Sequence, residues 1–397
     1  MSKKKLGLEL EMHLLDSDGN VTNMAPVVIN DKDNNGNIIK ECSQSVVEVI
    51  APPSSNLNEL AELFTTEVKN LANIAAKYNL RLMPSTTIGS DSSHIQGNES
   101  PRYASKKAVL GIDKRSLEYH ICGTHVHVDK LDRDKQTAQY LAMTAMDPIF
   151  SLMASSPFFS GNNSLEDHRV HIYRNVVFEE LPLQGTLLPY PEDIEEAESR
   201  QLNTYTQWLE MVKARGFDGD GFTNLNTCWG PVKLAERTIE SRGTDANLLT
   251  NVFALAAVYK GINEIIDKEN PQIKFANQDT TPDKLFKLEN GVLLLPTYEQ
   301  LKKFENLGIH QGIKNNEVRQ YLGNIVNLAR NNLELNEQKY LVPFQESLRT
   351  SRSFSADIVN YAKGEGIYQI ENLPNDSARQ IRNYIANEMH RDLEKIK

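Results

Sequence analysis

Three short stretches of the chain carry polar pairs two residues apart inside otherwise apolar segments: Glu9 and Glu11, His125 and His127, Glu240 and Arg242. Successive side chains of a β-strand point to opposite faces, so an i, i+2 pair shares one face, about 6.6 Å apart along the strand. The other parity of each stretch is apolar or small: Leu8 and Leu10; Thr124, Val126 and Val128; Ile239 and Ser241. A sheet face bearing carboxylates, imidazoles and a guanidinium is costly to build for structure alone, because each charge gives up water. Carboxylate oxygens and imidazole nitrogens at this density suit divalent cations, and the excess of carboxylates favours magnesium or manganese. Each pair has a plainer reading by itself, such as the solvent face of an edge strand for Glu9 and Glu11, or an ion pair for Glu240 and Arg242. Recurrence in three strands is what points to chemistry. Glu41 and Glu48 are a candidate fourth element. Their separation of seven is odd, so one regular strand cannot present both on one face, and a bulge or a turn near Ser43-Gln44-Ser45 is required for them to converge.

The elements that must position these groups follow from hydrophobic period. Lys5 to Leu14 alternates as a half-buried strand, and Val46 to Ile50 reads as a second strand ending at Pro52-Pro53. Apolar residues then recur every three or four positions from Leu57 to Tyr78, an amphipathic helix. Residues 85–105, rich in Ser, Gly, Asn and Pro, read as a loop, followed by a strand over His120 to Val128 and a helix over Lys135 to Ser155. Prolines 157, 182, 189 and 191 mark residues 156–200 as irregular, with the acidic run Glu192 to Glu198 a solvated helix face. A strand near Leu234 to Arg242 precedes a long helix over Asp245 to Lys268, and the remainder reads as helical, including Tyr298 to Leu307, Glu317 to Leu335 and Asp376 to Ile396. Strands come mainly before helices instead of alternating with them, which favours an α+β fold over a doubly wound sheet.

Composition narrows the function classes. Of 397 residues, 53 are acidic and 43 basic, a net charge of −10 that disfavours binding to nucleic acid or to an anionic membrane. No run of about 18 apolar residues predicts a membrane span. The basic start MSKKKLGLELEM lacks the apolar stretch of a signal peptide, so a cytoplasmic protein is expected. Cys42, Cys122 and Cys228 are too few and too scattered for a disulfide framework or a zinc site. Cys122, opposite in parity to His125, is expected in the core, and Trp229 reads as a packing anchor. Phosphate-loop, dinucleotide-binding and serine-nucleophile motifs are all missing. Asp31 to Gly36 imitates the start of a calcium loop, but position twelve is Cys42, and the segment reads as a turn.

With these residues in view, the chain resembles the second glutamate–cysteine ligase family, the bacterial carboxylate–amine ligases. Gly7-Leu8-Glu9-Leu10-Glu11-Met12 resembles that family's opening strand, and Glu41 through Val49 the strand that follows. Cys122-Gly123-Thr124-His125-Val126-His127-Val128 is similar to its most specific motif. Ser155-Ser156-Pro157-Phe158, Tyr173-Arg174 and Pro182 resemble its middle segment, and Trp229 with Thr238-Ile239-Glu240-Ser241-Arg242 and Asp245 its last active-site strand. The matches run over about residues 6–250 in the family's order.

The resemblance implies a glutamine-synthetase-type fold, with an active site on one face of a curved antiparallel sheet and helices on the outer face. It also implies one catalytic domain over 1–397, its active-site sheet within about 6–250 and a helical part over about 251–397. By the same resemblance, two or three Mg²⁺ or Mn²⁺ ions are held by the chain, one among Glu11, Glu41 and Glu48 and another among Glu9, His125 and Glu240. Glu240 and Arg242 are catalytic, Arg242 facing the phosphoryl group transferred from the co-substrate ATP. Arg174 faces the substrate carboxylate with Arg169 as its rival, and Tyr173 and His127 are further substrate contacts. The expected partners are a small carboxylic acid, glutamate by resemblance, and an amine, joined through an acyl phosphate. A helical surface around such a sheet also allows a homo-oligomer. Two other classes fit the same polar face: a metal-dependent hydrolase, and a metabolite-binding protein without catalysis. The segment Glu166-Asp167-His168-Arg169 and the acidic Glu179-Glu180 depart from the family's pattern and put the substrate pocket in question.

Overall fold

A computed structural model of the chain describes residues 3–368 and 371–396. Seven strands form the main sheet: β1 (Leu6–Leu15), β2 (Ile38–Lys40), β3 (Val46–Ile50), β4 (Arg81–Met83), β5 (Gly123–Asp129), β6 (Val232–Leu234) and β7 (Thr238–Asp245). Their order is β2-β3-β1-β5-β7-β6, with β4 paired to the last turn-ward residues of β1, and every pairing is antiparallel. β1 is therefore central. The edge-strand reading of Glu9 and Glu11 fails, because β1 is bonded to β3 on one side and β5 on the other.

Alternation in β1 now has a direct meaning. Leu8, Leu10 and Met12 are buried on the outer face, where they join Val47, Val49, Val126 and Val128 in the largest core cluster. Two long helices cover that face. Leu57–Lys77 starts where the Asn56 side chain accepts hydrogen bonds from the Asn58 and Glu59 amides. Leu249–Glu269 is apolar on nearly all sides because it lies between the sheet and the helix Asn316–Asn332. Phe64 and Phe253 meet edge to face between the two covering helices, ring centroids 6.3 Å apart. A separate core joins Leu15, Val21 and Met83 to Ile381 and Ile385 of the last helix, Asn375–Lys395. Beside it, the buried Arg382 grips Asp91 through two bonds of 2.9 and 2.7 Å.

Several elements differ from their sequence reading. The helix expected over Lys135 to Ser155 is Gln136–Ala145, then a 3₁₀ turn Asp147–Ile149, then Phe150–Met153. The break falls at Pro148, which removes an amide donor and crowds the preceding turn. The loop expected at 85–105 gives way to a helix, Pro101–Leu110, with Ser100 capping the Tyr103 amide and proline at the first helical position. Residues 156–200 also hold the helix His168–Ile172, which runs on as a π-helical turn Tyr173–Val177, and the acidic run opens the helix Ile194–Ala214 behind its cap Asp193. The later part of the chain is not wholly helical: β8 (Gln272–Phe275), β9 (Lys287–Glu289) and β10 (Val292–Leu295) form a small sheet in the order β8-β10-β9. Among the described residues, no helix is long and apolar enough to cross a membrane. The α+β class and the curved antiparallel sheet stand as expected.

Removing the aromatic bridge should test what clamps the covering helices to the sheet. Phe64→Ala is expected to lower unfolding stability by about 3–5 kcal/mol in urea titrations, while leaving divalent-metal affinity unchanged.

Candidate active site

Pairing register assembles the polar row. Glu11 lies opposite Glu48 of β3, Glu9 opposite His125 and Gly7 opposite His127 of β5, His127 opposite Glu240 of β7, and Glu240 opposite Lys233 of β6. Directly opposed residues share a face, so the row crosses five adjacent strands. A hairpin answers the odd separation of Glu41 and Glu48. β2 and β3 pair Ile39 with Glu48, so positions that sum to 87 face one another, and Glu41, two residues beyond Ile39, comes out on the same side as Glu48. Between β5 and β7 the register slips: Thr124 faces Thr244, but Val126 faces Ser241. The extra residue is a bulge at Arg242-Gly243, which places Arg242 beside Glu240, 3.2 Å between Nη1 and Oε1.

Two glycines make room for guanidinium groups. A Cβ on Gly123 would collide with the Arg169 guanidinium, and one on Gly243 would sit 2.8 Å from both Arg174 Nη2 and Asp147 Oδ1. These are close-approach positions, not turns.

Electrostatics divide the row. Glu240 has fixed cations, Lys233 at 2.7 Å and Arg242 at 3.2 Å. Burial would raise its carboxyl pKa, but Lys233 and Arg242 hold it down at about 2. Glu9 is likewise opposed by burial, yet its contacts with His125 and His127 keep it below the ordinary carboxylate range. His125 Nδ1 lies 2.8 Å and His127 Nε2 3.0 Å from its two oxygens. His127 itself is pushed down by burial and more strongly up by Glu9 and Glu240. At the other end, burial and then the neighbouring Glu41 raise the Glu11 and Glu48 carboxyls, Glu48 well above its usual value. Glu11 accepts the Gly123 amide at 2.5 Å. Among the described residues, neither Glu41 nor Glu48 has a lysine or arginine within ion-pair distance.

This donor set fits divalent cations. Three groups bring their ligand atoms within 4.8 Å of one another: Glu11, Glu41 and Glu48; Glu9, Glu48 and His125; Glu9, His127 and Glu240. The buried Nε2 atom of His125 has no hydrogen-bond partner, an uncommon state for an imidazole this enclosed. The first group is the one the resemblance implied. The residues of the second expected set also come together, His125 Nδ1 lying 2.8 Å from Glu9 and 3.9 Å from Glu240, while His127 stands between Glu9 and Glu240 as well and His125 joins Glu9 to Glu48. Their opposed registers explain this, since His127 faces Glu240 across β5–β7 and His125 faces Glu9 across β1–β5.

The row floors a cavity of about 370 Å³, a size suited to small ligands. Arg169 and Tyr173 line it, and Arg174 does not. Arg174 is buried elsewhere, bonded to Asp147 at 2.7 and 2.8 Å and to Glu305 at 3.0 Å. The expectation that it meets the substrate carboxylate is therefore corrected. Arg169 and Tyr173 are four apart and share a helix face, whereas the next residue turns about 100° away. The two carboxylates that meet Arg174 there saturate its charge. Glu179 and Glu180, the acidic departure from the family pattern, hold Lys114 at 2.9 and 3.1 Å and do not line the cavity. Cys122 is buried as expected. Trp229 packs on Phe178 and Trp208, with one edge on the cavity.

Against known families, residues 5–271 match glutamate–cysteine ligase family 2. The chain belongs to that family. A relative in Bradyrhizobium diazoefficiens, provisionally named glutamate–cysteine ligase 2, is 27% identical over 231 residues, 57% of this chain and 50% of its own length. Another of that name in Pseudomonas aeruginosa LESB58 is 29% identical over 277 residues, 67% of this chain and 68% of its own. The chain thus spans half or less of the first few curated relatives it matches. In fold it is similar to a bifunctional glutathione synthetase of Pasteurella multocida (TM-score 0.60, 12% identity, 97% of this chain and 52% of that one). It is also similar to a glutamate–cysteine ligase of Francisella tularensis solved in complex with AMP (TM-score 0.58, 12% identity, 100% and 93%).

Within this family fold, sequence reasoning overlooked Lys233, Lys106, Arg115 and Glu118, all of which line the cavity. Val232-Lys233-Leu234 does alternate, but three residues are too few to register as a period. The other three come from helices in and after a stretch read as loop.

Proton linkage at the raised carboxyls gives a signed expectation. A metal ligand must be ionised, and a carboxyl with raised pKa keeps its proton to higher pH, so the metal competes with protons most at low pH. The Mn²⁺-induced rise in melting temperature is expected to grow from pH 5.5 to 8, and Glu48→Gln to remove most of that growth in differential scanning fluorimetry. For the corrected arginine, Arg174→Gln is expected to cost about 3–5 kcal/mol in chemical denaturation, because it strands two buried carboxylates. Arg169→Gln should cost far less.

Proposed function

We propose that the chain is an ATP-dependent carboxylate–amine ligase. In this reading a carboxylic acid, glutamate by family likeness, receives the γ-phosphoryl of ATP, and an amine displaces phosphate from the resulting acyl phosphate. The observation that carries it is the row of five carboxylates and two imidazoles converging on one cavity wall, with fixed cations at its margin. Such chemistry gathers several anions at one point, so neutralising and orienting them is the main task.

Glu11, Glu41 and Glu48, and Glu9 with His125, His127 and Glu240, would hold Mg²⁺ or Mn²⁺, which supplies charge neutralisation and Lewis acidity to phosphoryl oxygens. Arg242 and Lys233, fixed by Glu240, present positive charge where phosphoryl oxygens would be bound. Arg169, laid across Gly123, offers its guanidinium to a substrate carboxylate. Tyr173 packs beneath that guanidinium, its ring centre 5.8 Å from Cζ, and limits its movement. No protein nucleophile is needed, and Cys122, whose thiol burial pushes well above its ordinary pKa, is not placed to act as one. The helices beyond residue 250 belong to the same catalytic unit in this reading, because side chains of Leu249–Glu269 and Asn316–Asn332 share the core behind the sheet.

An ADP-release assay with glutamate and a panel of amino acids and amines, with and without Mg²⁺, tests this. Turnover is expected only with metal and an acceptor. Glu240→Gln should cut it by about 10²–10³-fold with the fold retained by circular dichroism. Undiminished turnover by that variant would refute the assignment of the site.

A further inference from the structure

Two buried carboxyl groups meet where the helix His168–Ile172 abuts the end of β7. Asp167 caps that helix and is fully buried, and Asp245, the last residue of β7, is 1% exposed. One oxygen of each is supplied with donors. Asp167 Oδ1 accepts the Val170 amide at 2.8 Å, and Asp245 Oδ2 accepts the Ser155 amide at 2.8 Å and the Ser156 hydroxyl at 2.7 Å. The other two oxygens, Asp167 Oδ2 and Asp245 Oδ1, are buried and meet no donor. Yet the two side chains stand within hydrogen-bonding reach of each other. Ionised carboxylates only accept, so two of them cannot bond. One proton between them satisfies both bare oxygens and removes one of two like charges. Burial, and then the charge of Asp245, push the Asp167 carboxyl well above its ordinary value, and burial raises Asp245 against the pull of Arg169.

This contact ties the strand of Glu240 and Arg242 to the helix of Arg169. The Arg169 head has few bonds of its own: Nη2 gives the Arg242 carbonyl a long one of 3.3 Å, and Nε has no partner. Its backbone is anchored instead, the Arg169 amide on Ser156 Oγ at 3.2 Å and the His168 amide on the Ser156 carbonyl at 3.0 Å. Arg169 is the cation beside the pair, while burial holds the His168 ring down at about 4, so that it is neutral there. A singly protonated pair shows Arg169 one negative charge. A fully ionised pair would show it two, and draw the guanidinium back from the cavity.

We propose that Asp167 and Asp245 share one proton as an acid–carboxylate pair, and that this pair positions Arg169 over Gly123 at the cavity wall. The use made of Arg169 rests on the ligase reading; the shared proton and the placement do not.

Asparagine substitutions test the proton. In Asp167→Asn or Asp245→Asn an amide NH₂ supplies the hydrogen between the two groups, so each is expected to melt within about 2 °C of wild type. The double variant sets two such donors face to face, or turns one amide and loses its bonds to Val170 or Ser155. It should melt at least about 3 °C below the sum of the single shifts. Infrared spectra of protein with ¹³C at the aspartate side-chain carboxyls, taken with Mg²⁺ at neutral pH, should show a protonated-acid band that each single variant removes. Additive melting shifts, or a band unchanged by either substitution, overturn the shared proton. Asp167→Ser tests the placement, because serine keeps the Val170 cap but does not reach Asp245. In its crystal structure the Arg169 guanidinium is expected to leave Gly123, and in ADP-release assays the KM for the acid substrate to rise about tenfold with kcat little changed. Asp167→Asn should restore both. A guanidinium that stays over Gly123 in Asp167→Ser overturns the positioning role. A displaced guanidinium with no ADP release by the wild type on any substrate would sink the ligase reading and leave the pair standing.

Discussion

Like charges crowded on one sheet face set the terms for this molecule. Five carboxylates converge there, several with oxygens within 4.8 Å of a neighbour's ligand atom. At that spacing each pair of ionised groups repels by about 3–4 kcal/mol in a partly buried setting. The protein answers unevenly. Glu240 is neutralised by Lys233 and Arg242, and Glu9 by imidazoles, while Glu41 and Glu48 have no lysine or arginine beside them among the described residues. The face is thus compensated at one margin and left to hold protons or added cations at the other. The raised Glu11 and Glu48 carboxyls record the same imbalance.

Holding such a face together requires a scaffold that cannot relax. The charged strands lie at the centre of the sheet, bonded on both sides, and their outward residues are locked under Leu57–Lys77 and Leu249–Glu269. Arg174 belongs to this scaffold. By tying Asp147 to Glu305 it joins the turn after Gln136–Ala145 to the helix Tyr298–Gln311, directly behind the bulge that aims Arg242. A buried arginine with two carboxylates is a positioning device here, and of the two arginines on this helical stretch it leaves Arg169 to face the cavity.

Strand parity made much of the site readable from sequence. Glu9 and Glu11, His125 and His127, Glu240 and Arg242 all lie on the expected face because a period of two survives any pairing partner. What could not be read depends on pairing itself. The convergence of Glu41 with Glu48 follows from a hairpin register, the entry of His127 beside His125 between Glu9 and Glu240 from which strands β5 faces, and the place of Lys233 from a strand three residues long. Arg169 and Arg174 are chemically alike in sequence and differ only by their angle around one helix. Arg115 sits after Gly-, Ser- and Asn-rich chain whose helices are fixed by tertiary contacts and a single cap, so local propensity hid it.

Anomalous diffraction from crystals grown with Mn²⁺ tests the central claim most directly. Manganese peaks are expected at two or more positions on this face, ligated by Glu11, Glu41 and Glu48 and by Glu9 with the histidines. A face that stays free of manganese at millimolar concentration, with the contacts of Glu9 to His125 and His127 intact, would contradict the account.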